Sequence, residues 1–271
     1  MNRQEQVEYL IELLLQEMPG YRAQAARFGD GERRQLLRGL MNIREPRPLR
    51  EDFLRVQDAL LSAEREERGV VDAQTLPAIA ADPRLALWQG DITTLRCGAI
   101  VNAANSALLG CFHPCHNCID NVIHSAAGLQ LRDECSRIMQ KQGRPEPVGQ
   151  AKLTAGYNLP CRYVLHTVGP LITGPLQPED CEALARCYRA CLERAEQAQI
   201  DSVAFCCIST GEFHFPYEKA AEIAVDAVRD SLNRTKSTIR VIFNVFQNRD
   251  YAAYRRLLGP DRPACQSDTG V

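Results

Sequence analysis

From residue 85 onward the chain alternates short apolar runs with helical patterns, and this alternation restricts its fold more than any other feature. The patterning predicts strands at 85–89, 97–101, 152–157, 163–168, 202–208 and 239–246, and helices at 119–128, 131–140, 179–197, 217–232 and 250–258. Runs such as Ala99-Ile100-Val101 and Val203-Ala204-Phe205 are apolar without alternation, as strands covered on both faces must be. Strands of that kind separated by helices predict an α/β/α sandwich, three layers around a mixed, largely parallel sheet. Ligands of such folds bind beyond the carboxyl ends of strands, where loops enter helices. Two loops qualify. One runs from 102 to 118, and the other is Ser209-Thr210-Gly211-Glu212-Phe213-His214-Phe215-Pro216.

Residues 1–82 have a different texture. Val7, Leu10, Ile11, Leu14, Leu15 and Met18 follow helical spacing until Pro19-Gly20 closes the segment. A second helix is predicted at 32–43, and Pro46 and Pro48 separate it from a third at 50–68 with Phe53, Val56, Leu60 and Leu61 on one face. This region has no chemical motif. It is expected to be a helical extension packed on a main domain at 83–259, with a flexible tail at 260–271. Deleting the extension is expected to expose apolar surface and lower stability without abolishing the ligand pocket.

The 102–118 loop is the chemically dense part of the chain. Cys111, His113, Cys115, His116 and Cys118 fall within eight residues, which brings five soft or borderline donors close to one point. Thiolate and imidazole are preferred ligands of Zn²⁺, and a catalytic zinc site uses three protein ligands with a fourth position open. No second C-x₂-C pair lies elsewhere in the chain to complete a four-cysteine structural site. The twelve cysteines would suggest disulfides in a secreted protein. However, the apolar patch at 10–15 is interrupted by Glu12 and flanked by Glu5, Glu8 and Glu17, unlike a signal peptide or membrane span. The expected location is the cytoplasm, with Cys97, Cys181, Cys187, Cys191, Cys206 and Cys207 as buried free thiols. A net charge of −2 excludes any global attraction to nucleic acid or anionic membrane.

Four ordered motifs together resemble those of a macrodomain. They are Gly90-Asp91-Ile92-Thr93, Ala99-Ile100-Val101-Asn102-Ala103-Ala104-Asn105, Ile119-Asp120-Asn121-Val122-Ile123-His124-Ser125-Ala126-Ala127-Gly128, and Ser209-Thr210-Gly211 with Phe213 and Pro216. The glycine run that many macrodomain hydrolases carry before the V-D-x-x-I-H helix is replaced here by Gly110-Cys111-Phe112-His113-Pro114-Cys115-His116-Asn117-Cys118. In this the chain resembles the zinc-dependent branch of the family, microbial ADP-ribosyl hydrolases that also carry an N-terminal helical extension.

The resemblance implies roles for particular residues. Cys111, His116 and Cys118, as C-x₄-H-x-C, would hold one Zn²⁺ per chain, with Cys115 and His113 in reserve. Asp91 would accept from the adenine amino group beside the backbone of Ile92, although an Asp there could equally cap a turn. Phe246 would pack against adenine unless it is a core residue. Ser209, Thr210, Gly211, Glu212 and Phe213 would cradle the diphosphate on backbone N–H groups, with Gly211 allowing close approach and the following helix adding its positive end. Asn102 and Asn105 would flank the distal ribose, Asn105 as the catalytic amide and Asn102 in a structural role. Asp120 would orient or deprotonate water, or cap its helix; beside a cation it would stay ionised. His124 and His166 are expected to be packed residues, and His214 and Phe215 to shape the pocket entrance. The implied activity is hydrolytic removal of mono-ADP-ribose from modified proteins, with a cognate ADP-ribosyltransferase as a further partner. A non-catalytic ADP-ribose-binding module and an O-acetyl-ADP-ribose deacetylase are the alternatives.

Overall fold

A computed structural model describes residues 1–262. The helices of the N-terminal region are α1 (Arg3–Glu17), α2 (Arg22–Ala25), α3 (Arg33–Ile43) and α4 (Glu51–Arg68). At the start of α1 the Asn2 side chain accepts from the N–H of Glu5 while the Glu5 carboxylate accepts from the N–H of Asn2, so two otherwise unpartnered donors are satisfied reciprocally. The faces predicted from spacing are the buried ones. Leu10, Ile11 and Leu14 of α1, Leu37 and Leu40 of α3, and Phe53, Val56 and Leu60 of α4 form an apolar core distinct from that of the sheet. Leu129, from beyond the extension, completes this core, and its N–H donates to the buried Gln57 Oε1 at 2.9 Å.

The remaining elements in chain order are β1 (Val71–Asp72), β2 (Ala78–Ile79), β3 (Asp82–Gln89), β4 (Leu95–Arg96), β5 (Ala99–Ala103), α5 (Ile119–Ala127), α6 (Leu129–Gln142), β6 (Ala151–Ala155), β7 (Tyr163–Thr167), α7 (Pro178–Gln197), β8 (Ser202–Phe205), α8 (Tyr217–Arg234), β9 (Arg240–Val245) and α9 (Asn248–Leu258). Seven strands form one sheet in the order β2-β3-β9-β8-β5-β7-β6. Every neighbouring pair from β3 to β7 is parallel, while β2 and β6 run antiparallel at the two edges. Helices cover both faces, so the expected three-layer α/β/α sandwich is the one observed. Residues 99–101 of β5 are fully buried, in keeping with their unbroken apolar run.

Three details differ from expectation. The strand predicted at 202–208 ends at Phe205, because the Cys207 carbonyl turns to accept from the N–H and hydroxyl of Thr210. The two-residue β1 pairs with β4 outside the main sheet, an element too short to leave any periodicity in the sequence. The tail expected from 260 is anchored as far as it is described, since Pro260 O accepts from the N–H of Ala80 and the N–H of Arg262 donates to Ala78 O. Positions 263–271 lie outside the described residues. No described helix is long and apolar enough to cross a membrane.

Because β3, β9, β8 and β5 are adjacent and parallel, their carboxyl ends share one edge of the sheet. Gln89 lies opposite Val245, and Phe205 opposite Phe243. Asp91, Phe246, the 206–216 loop and the 104–118 loop are therefore delivered side by side in that order.

Candidate active site

Beyond β3, Asp91 caps a short 3₁₀ turn at Ile92–Thr94, its Oδ1 accepting from the N–H of Thr93 at 2.9 Å and from the Thr93 hydroxyl at 2.7 Å. Capping occupies only that oxygen. Oδ2 lies 3.6 Å from Arg68 Nη1, and the side chain is 39% exposed, so a carboxylate oxygen remains for a ligand. Ile92 is buried and offers only its backbone. Phe246, just past β9, is 76% exposed and is therefore not a core residue. Gly90 N–H donates to Val245 O at 3.0 Å, which holds the Asp91 turn against the strand end that presents this ring. A carboxylate beside an exposed aromatic face suits a flat, amino-bearing heterocycle.

The 206–216 loop folds back on itself, with Phe215 N–H donating to Ser209 O and His214 N–H to Gly211 O. Ser209 and His214 take the left-handed backbone region, at φ of 66° and 56°, whereas Gly211 does not. A Cβ built at Gly211 meets nothing within 4 Å, so the backbone faces open space there. Among the described residues no group accepts from the N–H of Gly211, Glu212 or Phe213. Successive backbone N–H groups without an internal acceptor are the donors from which anion-binding concavities are built. α8 starts only at Tyr217, so the free amides nearest in sequence to the end of β8 belong to the loop rather than to the helix end. Ser209 is buried, and Thr210 turns both its N–H and its hydroxyl to Cys207 O, so neither side chain is presented to the loop's open face and the Thr210 N–H is already taken. Phe215, expected at the pocket entrance, is instead 2% exposed and belongs to the sheet core, while His214 is exposed.

At the end of β5 and just beyond it lie the polar groups of greatest chemical interest. Asn102 is fully buried, and its Nδ2 donates to Asp120 Oδ1 at 2.8 Å and lies 3.2 Å from His166 Nδ1. Asn105 Nδ2 donates to Asp120 Oδ2 at 3.2 Å and to Gly110 O at 3.0 Å. One carboxylate thus holds two amides on its two oxygens. Burial pushes the Asp120 carboxyl up to about 6, against the lowering effect of the two amides and the Arg132 charge. Asn102 Oδ1 is buried without a partner. His166 is fully buried and held down to about 3, and His124 is buried and shifted the same way, so both are neutral packed rings as expected.

Cys111, His116 and Cys118 bring their donor atoms within 4.8 Å of one another, and Cys111 Sγ lies 3.7 Å from His116 Nδ1. The edge of a tetrahedron with zinc-ligand bonds of about 2.0–2.3 Å is about 3.5 Å, so two thiols and an imidazole at this spacing fit that ion. Cys118 is also the N-cap of α5, its Sγ accepting from the N–H of Asn121 at 3.4 Å. Burial pushes this thiol up to about 12, and the Asn121 N–H acts in the opposite direction. Cys115 is directed elsewhere, its Sγ donating to Gln35 O at 3.3 Å on α3. His113 packs edge-on against His116 at 5.3 Å between ring centroids. Glu212 Oε1 lies 3.6 Å from His116 Nε2, which brings the 206–216 loop and the cysteine loop into contact.

A second group that could hold a metal is the buried set His124, Cys135 and His166, which the sequence did not single out. Both ring nitrogens of His166 are already engaged, Nε2 lying 2.9 Å from Thr154 Oγ1 and Nδ1 facing the Asn102 amide, whereas those of His124 are buried without a partner. Two further residues escaped sequence reasoning. Buried Asn121 donates from Nδ2 to the carbonyls of Cys111 and His113, and buried Arg132 donates to Leu109 O at 2.7 Å. Asn121 belongs to a motif but does not resemble a metal ligand, and nothing local marks Arg132.

A parallel-centred sandwich with these loops on one strand edge has the architecture of a macrodomain. The Macro domain model matches residues 101–224. Over 260 residues the chain is 47% identical to a protein-ADP-ribose hydrolase of Treponema medium, spanning 95% of this chain and 100% of that relative. So wide an alignment must take in most of residues 1–82. A protein-ADP-ribose hydrolase of Staphylococcus aureus strain Mu50 is 50% identical over 228 residues, 84% of this chain and 85% of the relative. Among solved structures, a Trypanosoma brucei macrodomain in complex with ADP-ribose matches with a TM-score of 0.64 at 30% identity, covering 79% of this chain and 92% of that one. The chain belongs to the macro domain family.

Proposed function

We propose that this protein is a zinc-dependent hydrolase that releases mono-ADP-ribose from modified proteins. The observation that carries the proposal is the convergence of Cys111, His116 and Cys118 next to the Asn102–Asp120–Asn105 cluster. The hydrolase names of relatives at 47% and 50% identity support it. Adenine lies against Phe246, with its amino group on Oδ2 of Asp91, the oxygen not used for capping, and the Ile92 backbone beside it. The diphosphate takes the N–H groups of Gly211, Glu212 and Phe213. This order directs the distal ribose to Asn105 at the β5 end of the edge, with Asn102, expected to flank the ribose, fully buried behind it on Asp120.

Cys111, His116 and Cys118 hold one zinc ion, which when bound supplies Lewis-acid polarisation of an oxygen at the distal ribose or its linkage. Asn105 can donate to a ribose hydroxyl and accept from another without adding charge. Asn102 holds the Asp120 carboxylate in place; as water bonds to the anomeric or ester carbon the linkage to the protein breaks, the leaving atom taking the bonding pair and Asp120 the water proton. Residues 83–259 form the catalytic macrodomain, and residues 1–82 are its helical extension. The partners are mono-ADP-ribosylated proteins in the cytoplasm, together with the ADP-ribosyltransferase that modifies them.

The test measures release of ADP-ribose from a mono-ADP-ribosylated protein with and without chelator, alongside calorimetry on free ADP-ribose. Asn105→Ala should slow release by about 100-fold or more, because its amide acts near the scissile bond, and weaken ADP-ribose binding by less than about tenfold. Zinc-loaded wild-type protein that binds ADP-ribose but releases none would leave a binding module. Turnover of O-acetyl-ADP-ribose alone would indicate the deacetylase.

A further inference from the structure

We propose that α3 of the helical extension is a clamp on the metal-binding loop, and that Arg38 and Asn42 are positioning residues for Cys111, His116 and Cys118. The inference rests on reading that trio as a metal site. It adds a role at the site to the expected packing of the extension on the main domain.

The loop at 104–118 contains neither helix nor strand, and its backbone is left-handed at Leu108 and Cys115. An irregular segment of this length samples many conformations unless it is tied down, and a metal binding to it must first order it. Each of the three ligands is tied. The carbonyl of His116 accepts from Arg38 Nη2 at 2.8 Å, and the same nitrogen donates to Asn121 Oδ1 at 2.9 Å. Asn121 in turn holds the other two ligands, donating from Nδ2 to Cys111 O at 3.3 Å and from its backbone to Cys118 Sγ at 3.4 Å. Arg38 therefore touches one ligand directly and reaches both others through a single fully buried residue.

Asn42 makes a second tie. It is 2% exposed, its Oδ1 accepts from the Cys115 N–H at 2.9 Å, and its Nδ2 donates to Ser125 Oγ at 3.0 Å. Ser125 Oγ then donates to Asn121 Oδ1 at 3.2 Å, closing the network on the same hub. Arg132 joins the two sides from beneath. Its Nη1 reaches the carbonyls of Met41, Asn42 and Arg44 at the end of α3, where helical carbonyls lack partners, while its Nε donates to Leu109 O. Arg38 Nε is buried without a partner among the described residues, so the hydrogen bonds that fix this guanidinium are those of Nη2. A loop ordered in advance does not have to be ordered by the metal, and the difference appears as affinity.

The experiment uses the full-length chain with Arg38→Ala, Asn42→Ala and Arg65→Ala. Arg65 is the control, because it also crosses from extension to core but donates to Asn158 O at 3.1 Å, away from the loop. Zinc affinity is measured by chelator competition, and the cobalt-substituted absorption spectrum reports thiolate ligation. Loss of a group that orients metal ligands typically costs about 10- to 100-fold in metal affinity. Arg38→Ala and Asn42→Ala should show that loss and an altered cobalt spectrum, and Arg65→Ala neither. Arg38→Lys, which keeps a donor, should recover part of the affinity; if Arg38→Ala does not fold, Arg38→Lys and Asn42→Ala carry the comparison. Variants at 38 and 42 that bind zinc as tightly as wild type, with an unchanged spectrum, overturn the clamp. Wild-type protein without zinc affinity overturns the metal reading, and the clamp with it.

Discussion

Gly169, two residues past β7, lies against the 206–216 loop proposed to take the diphosphate, and a single missing atom leaves room for that loop. A Cβ at this position would lie 2.0 Å from Ser209 Oγ and 2.9 Å from Ile208 Cγ2. Rotating the serine hydroxyl relieves the first contact but not the second, and Ser209 is buried in a left-handed backbone conformation with little room to move. Gly169→Ala should therefore displace the segment leading into Gly211-Glu212-Phe213 by about 1 Å. Forcing an extra carbon into a packed site costs about 1–3 kcal/mol. If the displaced loop carries the strain, ADP-ribose affinity falls by about 5- to 150-fold, at 1.4 kcal/mol per tenfold. If the fold carries it, the melting temperature falls by about 2–4 °C per kcal/mol. Calorimetry with ADP-ribose and a thermal melt on one preparation separate the two. Gly174→Ala, in the same connection, is the control, because its Cβ meets nothing within 4 Å. An alanine at 169 that changes neither affinity nor melting temperature would refute the argument that Gly169 shapes the loop.

Two further predictions concern the cysteines and the buried histidine. Metal analysis should find about one zinc per chain, lost in Cys118→Ala but retained in Cys115→Ala, whose thiol faces Gln35 O; the reverse result would move the ligand assignment to Cys115. His166 is held neutral down to about 3 in the folded state against an ordinary value of 6.5, so the unfolded chain binds the extra proton between these values. Its contribution to stability is intact above about 6.5 and is lost progressively as pH falls towards 3. Denaturant melts should therefore show wild type losing about 2 kcal/mol relative to His166→Gln between pH 7.5 and 5, and a pH-independent difference would contradict it.

Much of this molecule is local in origin and so could be read from the chain. Apolar continuity in Ala99-Ile100-Val101 reports burial on both faces, the spacing in α1 and α4 reports one buried face, and both are properties of a few consecutive residues. The C-x₄-H-x-C spacing likewise lies within one loop, so the ligand candidates could be named in advance. Which of five donors converge could not be derived from that spacing alone, because an irregular loop has no period to aim its side chains. Cys115 turns away because Gln35 O and Asn42 Oδ1 await it, 80 and 73 residues earlier in the chain. The same separation hid Arg38 and Asn42, which on their own helix are an ordinary arginine and asparagine. Phe215 and Phe246 were equally indistinct, and their opposite fates follow from position: one is folded under its loop into the core, the other left past the end of β9. The sequence by itself determined the layers, the strand edge that carries the site and the residue types at that edge. Tertiary structure decided which side chains meet, because contacts between distant segments, rather than local periodicity, direct groups in loops.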